Sequence, residues 1–184
     1  DKPKGASLEG YLYPESFQKT AETSPKTIIT ASLNEMQKHL TPELRAGMVR
    51  QGLTVHEGVI LASVVDQEVS NPEDKKVVAQ VFLRRLREGR ALESDATAVY
   101  GAIMNGAKPS LTYDSEYNTY THKGLPPSPI SNVSKSGLDA VANPAKTNYL
   151  FFVAGDDGKT YFSQTLEEHE QLVKEHCKKL CSSQ

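Results

Sequence analysis

The sequence has no tryptophan and only two cysteines, Cys177 and Cys181, in 184 residues. It contains no apolar run of about eighteen residues, so a membrane-spanning helix is excluded within it, and no signal-peptide pattern is present. Neither cysteine belongs to a zinc-type or Cys-x-x-Cys pattern, so no metal site or dithiol redox centre is expected. The four-residue cysteine spacing falls on one face of a regular helix, where the Cβ atoms stay too far apart for a bridge; free thiols or a frayed tail are the reading. A marked excess of either charge is missing too. The formal net charge is −2 with 24% charged residues, which makes no electrostatic case for nucleic acid or an anionic membrane. Arg84, Arg85, Arg87 and Arg90 form one local basic run, read as a solvated helix face rather than a polyanion site. No repeat or low-complexity segment appears. The abrupt start at Asp1-Lys2-Pro3-Lys4-Gly5 reads as a boundary, and any membrane anchor is expected in a segment outside this chain.

What is present is a set of helix signals. Ser24-Pro25 is an N-cap followed by proline, and Ile29, Leu33, Met36 and Leu40 recur at amphipathic spacing. Thr41-Pro42-Glu43 repeats the device. Thr54-Val55-His56-Glu57 matches a capping box, which starts a helix near Val55 that runs through Glu68 and stops by Ser70-Asn71-Pro72. Asn71 caps the next helix, with Val78, Val81, Phe82 and Leu86 on its apolar side and Gly89 just past its end. Another helical turn spans Ala96 to Ile103. Residues 105–148 are rich in Gly, Pro, Ser, Asn and Tyr with little periodicity, and read as a long ordered loop that lines a cleft. Tyr149–Ala154 and Lys159–Ser163 then read as a hairpin around Gly155-Asp156-Asp157-Gly158. Thr165-Leu166-Glu167-Glu168 opens a last helix. The class is α+β, mainly helical, in one domain covering residues 1–184.

The chemistry concentrates at the end of the central helix, Ile60-Leu61-Ala62-Ser63-Val64-Val65-Asp66-Gln67-Glu68. Burial disfavours a charged carboxylate, and the negative end of a helix adds to the penalty. Both push Glu68 toward the protonated state that a general acid needs. Asp66 lies two residues away, about 200° around the helix. It faces Val59, Ala62 and Ser63, while Glu68 lies beside Leu61, Val64 and Val65, so the two acids cannot form a close pair. Eight neutral tyrosines against five phenylalanines favour aromatic groups with a polar tip. Ser94-Asp95 alone reads as a helix cap, and Tyr117-Asn118-Thr119-Tyr120 alone as a turn. His169, in the first turn of the last helix, reads as structural.

These segments taken in order resemble one family. Leu8-Glu9-Gly10-Tyr11-Leu12-Tyr13-Pro14, the 61–68 run, Val81–Leu86, Leu92–Gly101, Tyr117–Tyr120, Gly124–Ile130, Asn143-Pro144, Tyr149–Val153 and His169 together resemble the YceG/MltG-type endolytic murein transglycosylase domain. The resemblance implies a lyase that cuts peptidoglycan strands between MurNAc and GlcNAc without water. Glu68 is its implied catalytic group. Glu9, Tyr13, Asp95, Thr97, Tyr117, Asn118, Thr119, Tyr120 and Pro126 are the implied substrate-binding residues. It implies no cofactor and no metal. Glycan strands are the implied partner, with peptidoglycan synthases as further candidates, at the outer face of the cytoplasmic membrane in the cell envelope. The sequence departs from the family pattern at Asp66-Gln67 (usually Glu-Lys), at Ala96 (often proline) and at Ser128 (commonly glycine). The other reading of the chain is a catalytically weak glycan-binding module of a wall-synthesis complex.

Overall fold

The computed structural model describes residues 2–181. Its elements are α1 (Pro25–His39), α2 (Pro42–Arg50), α3 (Val55–Glu68), α4 (Pro72–Arg87), α5 (Asp95–Met104), α6 (Lys135–Ala142), β1 (Phe151–Ala154), β2 (Thr160–Ser163) and α7 (Leu166–His176). The architecture is the mainly helical α+β arrangement read from the sequence. α3 is the axis of the fold. Its residues Gly58 to Val65 are all buried, because α2, α4, α5 and α6 pack around it. Leu61, Val64 and Val65 have no exposed surface, and each contributes roughly 1.5–3 kcal/mol of apolar burial. The capping box at Thr54 and Glu57 fixes the helix start.

One element within residues 105–148 was not anticipated. α6 lies there, and it makes some of the densest packing in the molecule, against α2, α3 and α4. Its eight residues carry only Leu138, Ala140, Val141 and Ala142 as an apolar face, too short a run for a periodic signal. Tertiary packing makes it a helix. Ser134 caps it by accepting from the Gly137 N–H at 3.0 Å. A Cβ at Gly137 would sit 2.6 Å from the Asp66 carboxylate oxygens, so only glycine lets the helix start approach that side chain. Asp66 is the reason for the approach. It accepts from Lys75 Nζ at 2.6 Å, from the Ser134 N–H at 2.6 Å and from Ser134 Oγ at 2.8 Å. Asp66 and Lys75 side chains are each only 8% exposed. The pair ties the last turn of α3 to α4 and α6.

β1 and β2 form an antiparallel hairpin, with Phe151 opposite Ser163 and Ala154 opposite Thr160. α4 holds the segment entering β1 by its carbonyls. Arg84 Nη1 donates to Asn148 O at 2.6 Å, Gln80 Nε2 to Tyr149 O at 3.3 Å and Arg85 Nη2 to Leu150 O at 3.0 Å. The basic run therefore divides: Arg87 and Arg90 are exposed, whereas Arg85 is 6% exposed and points inward.

The free-thiol reading of the cysteines is corrected. Cys177 and Cys181 form a disulfide with Cα atoms 5.5 Å apart. The spacing argument assumed a continuing helix, but α7 ends at His176 and Cys177 has φ −122° and ψ 61°. Once the chain leaves the helical path, the two Cβ atoms can meet. Asp156 in the hairpin turn stabilises the turn-back, accepting from the backbone N–H groups of Lys178 at 2.9 Å, Lys179 at 3.0 Å and Leu180 at 3.1 Å. Among the described residues, no helix is long and apolar enough to cross a membrane.

Candidate active site

Glu68 is the last residue of α3, and the chain turns to extended backbone at Val69, with φ −144° and ψ 148°. Its side chain lies in a cleft of about 510 Å³ between the helical body, the hairpin and α7. Two larger hollows, of about 730 and 810 Å³, lie elsewhere and do not reach Glu68. The chemistry therefore selects the smaller space. Burial pushes the Glu68 pKa from 4.5 to about 7, with the Asp95 charge adding to the rise. The Ser94 hydroxyl and the Arg85 charge act the other way.

The Ser94 contact explains an irregularity in α5. Ser94 occupies the N-cap position but makes no side-chain capping bond. Its hydroxyl donates instead to Glu68 Oε1 at 2.5 Å. With one carboxyl oxygen occupied by this donor, the proton of the acid belongs on the other. A layer of buried hydroxyls fixes Ser94 in turn. Its N–H donates to Thr119 Oγ1 at 3.1 Å, Thr119 and Thr97 hydroxyls meet at 2.7 Å, and Thr97 Oγ1 donates to Ser94 O at 2.7 Å. Glu93, just before, takes φ +54°, the only non-glycine residue described with positive φ. Its N–H donates to Thr119 O at 3.2 Å, and Arg85 Nη1 lies 3.3 Å from its carboxylate. Such backbone strain persists only where surrounding contacts hold it. Asp95 lines the same cleft and accepts from Tyr120 Oη at 2.5 Å.

Of the residues singled out in the sequence, Glu68, Asp95 and Tyr120 line one cleft. Thr97 and Thr119 stand behind it as buried scaffold. Asn118 is fully buried and holds its turn, donating to Leu111 O at 3.0 Å and Tyr113 O at 2.9 Å. The remaining four lie outside this cleft. Glu9 accepts from Tyr100 Oη at 2.5 Å, and Tyr117 hydrogen-bonds Ser128 at 2.6 Å, with the Tyr100 and Tyr117 rings 4.9 Å apart. Pro126 is buried in its loop. Tyr13 packs in the core, stacked on His39 at 4.0 Å.

Among the further cleft residues not singled out for the site are Arg85, Glu93, Phe151 and His169. Arg85 sits over the Phe151 ring at 5.7 Å, and His169 stacks on the same ring at 5.3 Å. All four lie in segments that carry the family resemblance; for Arg85 the inward phase on α4 was a further signal that the basic run concealed. Among the described residues no group of three or more His, Cys, Asp or Glu is arranged to hold a metal ion.

The profile of the YceG-like family matches residues 1–175 of this chain. The chain belongs to the YceG-like family. It is 32% identical over 173 residues to an endolytic murein transglycosylase of Bacillus subtilis (strain 168), covering 92% of this chain and 48% of that protein. A protein of the same name in Streptococcus pneumoniae serotype 2 (strain D39 / NCTC 7466) is 33% identical over 178 residues, covering 92% of this chain and 32% of its own length. A crystal structure of a YceG-like protein from Listeria monocytogenes superposes with a TM-score of 0.78 at 38% identity, over 90% of this chain and 55% of that one. The chain thus spans half or less of the length of the curated relatives it matches.

Proposed function

We propose that this chain is the catalytic domain of a peptidoglycan lytic transglycosylase that cuts inside glycan strands, with Glu68 as the acid and then the base. The observation that carries the reading is one carboxyl in the cleft lining, pushed by burial to a pKa of about 7 and held by a hydroxyl donor at 2.5 Å. A group poised there is protonated often enough to donate and deprotonated easily enough to accept. Protonated Glu68 gives its proton to the glycosidic oxygen, and the bond from that oxygen to C1 of MurNAc breaks. The resulting Glu68 carboxylate, supported by Ser94 and by the Arg85 charge, takes the proton of the C6 hydroxyl. The C6 oxygen bonds to C1 and closes a 1,6-anhydro ring, so no water is consumed. The acetamido group of the substrate can share the positive charge at C1.

A hydrolase would instead need a second carboxylate free to activate water or attack C1. Asp66 is engaged by Lys75 and Ser134 on the opposite side of α3. In the cleft, Asp95 accepts from Tyr120 and Glu93 lies against Arg85. The names of the relatives support the substrate, and the family supports the class. Under this reading Asp95 and Tyr120 contact the sugar beside Glu68. Glu9, Tyr117 and the loop around Pro126 meet the strand further along, if it continues past Tyr100. Placement at the outer face of the cytoplasmic membrane, an anchor outside this chain and work beside peptidoglycan synthases belong to the same proposal. Digestion of purified peptidoglycan followed by mass spectrometry of the muropeptides tests it. Products lighter by one water than hydrolysed ends are expected; ordinary reducing ends would overturn the lyase in favour of a hydrolase, and intact strands would leave a binding module.

A further inference from the structure

The His169 imidazole carries an unexplained atom. Its Nδ1 is sealed from solvent and has no hydrogen-bond partner, although the residue as a whole is partly exposed and lines the Glu68 cleft. A buried N–H without a partner is rarer than a buried acceptor without one. The ring proton therefore belongs on Nε2, which leaves Nδ1 as the orphaned acceptor. Burial, and then the nearby Arg85 charge, hold the ring below its usual pKa and so keep it neutral. Its orientation is fixed from one side by stacking on Phe151 at 5.3 Å and along the chain by the first turn of α7.

We infer that His169 is a substrate-contact residue of this cleft, its Nε2–H donating to an uncharged oxygen of the bound sugar. The inference rests on the glycan reading above and adds a residue to it. Charge decides the ligand class. Three carboxyl groups, Glu68, Glu93 and Asp95, line the cleft. Among the described lining residues the guanidinium is that of Arg85, which is already directed at Leu92 O, Leu150 O and Glu93; Arg90 meets the lining at the Phe151 ring, at 5.7 Å. An anionic group entering here meets net repulsion, and a cation offers no lone pair to which the Nε2–H of His169 could donate. An acetamido carbonyl or a sugar hydroxyl meets neither obstacle. The stack on Phe151 alone would give the residue a purely structural role, so the test must separate stacking from donation.

Phenylalanine keeps the stack and removes the donor, whereas glutamine gives up the stack and places an N–H near the former Nε2. Both changes are made in the Glu68→Gln protein, which cannot cut. Binding of end-labelled glycan strands that keep their stem peptides, so that each lactyl group is an uncharged amide, is followed by fluorescence anisotropy, with thermal unfolding recorded for each variant. His169→Phe is expected to weaken binding about five- to tenfold, the range of one lost neutral hydrogen bond, and His169→Gln to recover at least threefold of that. Unchanged binding in His169→Phe, or equal weakening in a folded His169→Gln, would overturn the donor role. His169→Leu replaces the phenylalanine variant if that one does not fold. Absence of strand binding by Glu68→Gln itself is a separate result, which refutes the glycan reading on which the inference stands.

Discussion

Replacing Glu68 by glutamine removes the acid and, by the same physics, should stabilise the protein. The carboxyl has an ordinary pKa of 4.5 and is raised to about 7 in the fold, chiefly by burial. The folded state therefore holds this proton more tightly than the unfolded chain does. Below pH 4.5 both states are protonated and no penalty exists. As pH climbs from 4.5 to about 7, the unfolded chain releases the proton first and stability is lost; above about 7 the loss is constant. At about 1.4 kcal/mol for each tenfold change in proton affinity, the full penalty is about 3 kcal/mol. Glutamine cannot ionise and escapes it. Its carbonyl can still accept from Ser94, and its amide hydrogens face the cleft, where water reaches them.

Glu68→Gln is thus expected to match the parent in stability near pH 4 and to exceed it by up to about 3 kcal/mol at pH 8. For a domain of this size that is a rise in Tm of roughly 6–12 °C. Parallel thermal unfolding of the two proteins between pH 4 and 9, with strand cleavage measured beside it, checks the claim. The difference must grow between pH 4.5 and 7 and then level off, while cleavage is lost throughout. A difference that is flat with pH would refute a raised pKa at Glu68, and with it the physical basis of the acid-then-base assignment.

Ser94→Ala removes the hydrogen bond that favours the Glu68 carboxylate; the pH at which Glu68 ionises should move alkaline, and kcat should fall by about tenfold because the carboxylate formed on proton donation loses its donor. A pH–rate profile that does not move would show that Ser94 is only scaffold. Lys75→Met leaves the Asp66 carboxylate buried without its cation and should cost about 3–5 kcal/mol in urea unfolding. The double change with Asp66→Asn should cost clearly less, and equal losses would refute the pairing argument. Reduction of the Cys177–Cys181 bridge should speed hydrogen exchange at the Lys178, Lys179 and Leu180 amides while α3 amides stay protected. The bridge closes so short a loop that it contributes about 2 kcal/mol at most, so a global collapse on reduction would contradict this local role.

Five helix starts were legible because each carries its own chemical signal. Ser24, Thr41, Thr54, Asn71 and Thr165 all cap the helices they were read to open. The opposed directions of Asp66 and Glu68 followed from two residues of helical phase. What stayed hidden depends on partners distant in sequence. α6 is a helix because α2, α3 and α4 accept its short apolar face. The Cys177–Cys181 bridge exists because Asp156, twenty-two residues before Lys178, turns the chain back. Arg85 looked like one cation in a basic run until the carbonyls of Leu92 and Leu150 drew it inward. Ser94 looked like a cap, and its hydroxyl serves Glu68 instead.

One helix end thus serves two purposes that conflict if combined. Asp66 meets Lys75, the Ser134 N–H and the positive end of α6, so its carboxylate is surrounded by donors and locks α3 to two neighbours. Glu68, half a turn further, is buried beside the charge of Asp95, and the single Ser94 hydroxyl and the Arg85 charge do not offset this, so its proton is retained. Exchange of these surroundings would give an ionised group in the cleft, unable to donate, and an unpaired acid in the core. The ion pair also explains how the group proposed as the acid can sit on the last residue of a helix, where ends normally fray. Asp66 anchors the final turn from the opposite face, and the precision of the Ser94–Glu68 contact depends on that anchor. Lys75→Met should therefore degrade cleavage by more than the unfolded fraction explains, even at temperatures where the protein remains folded.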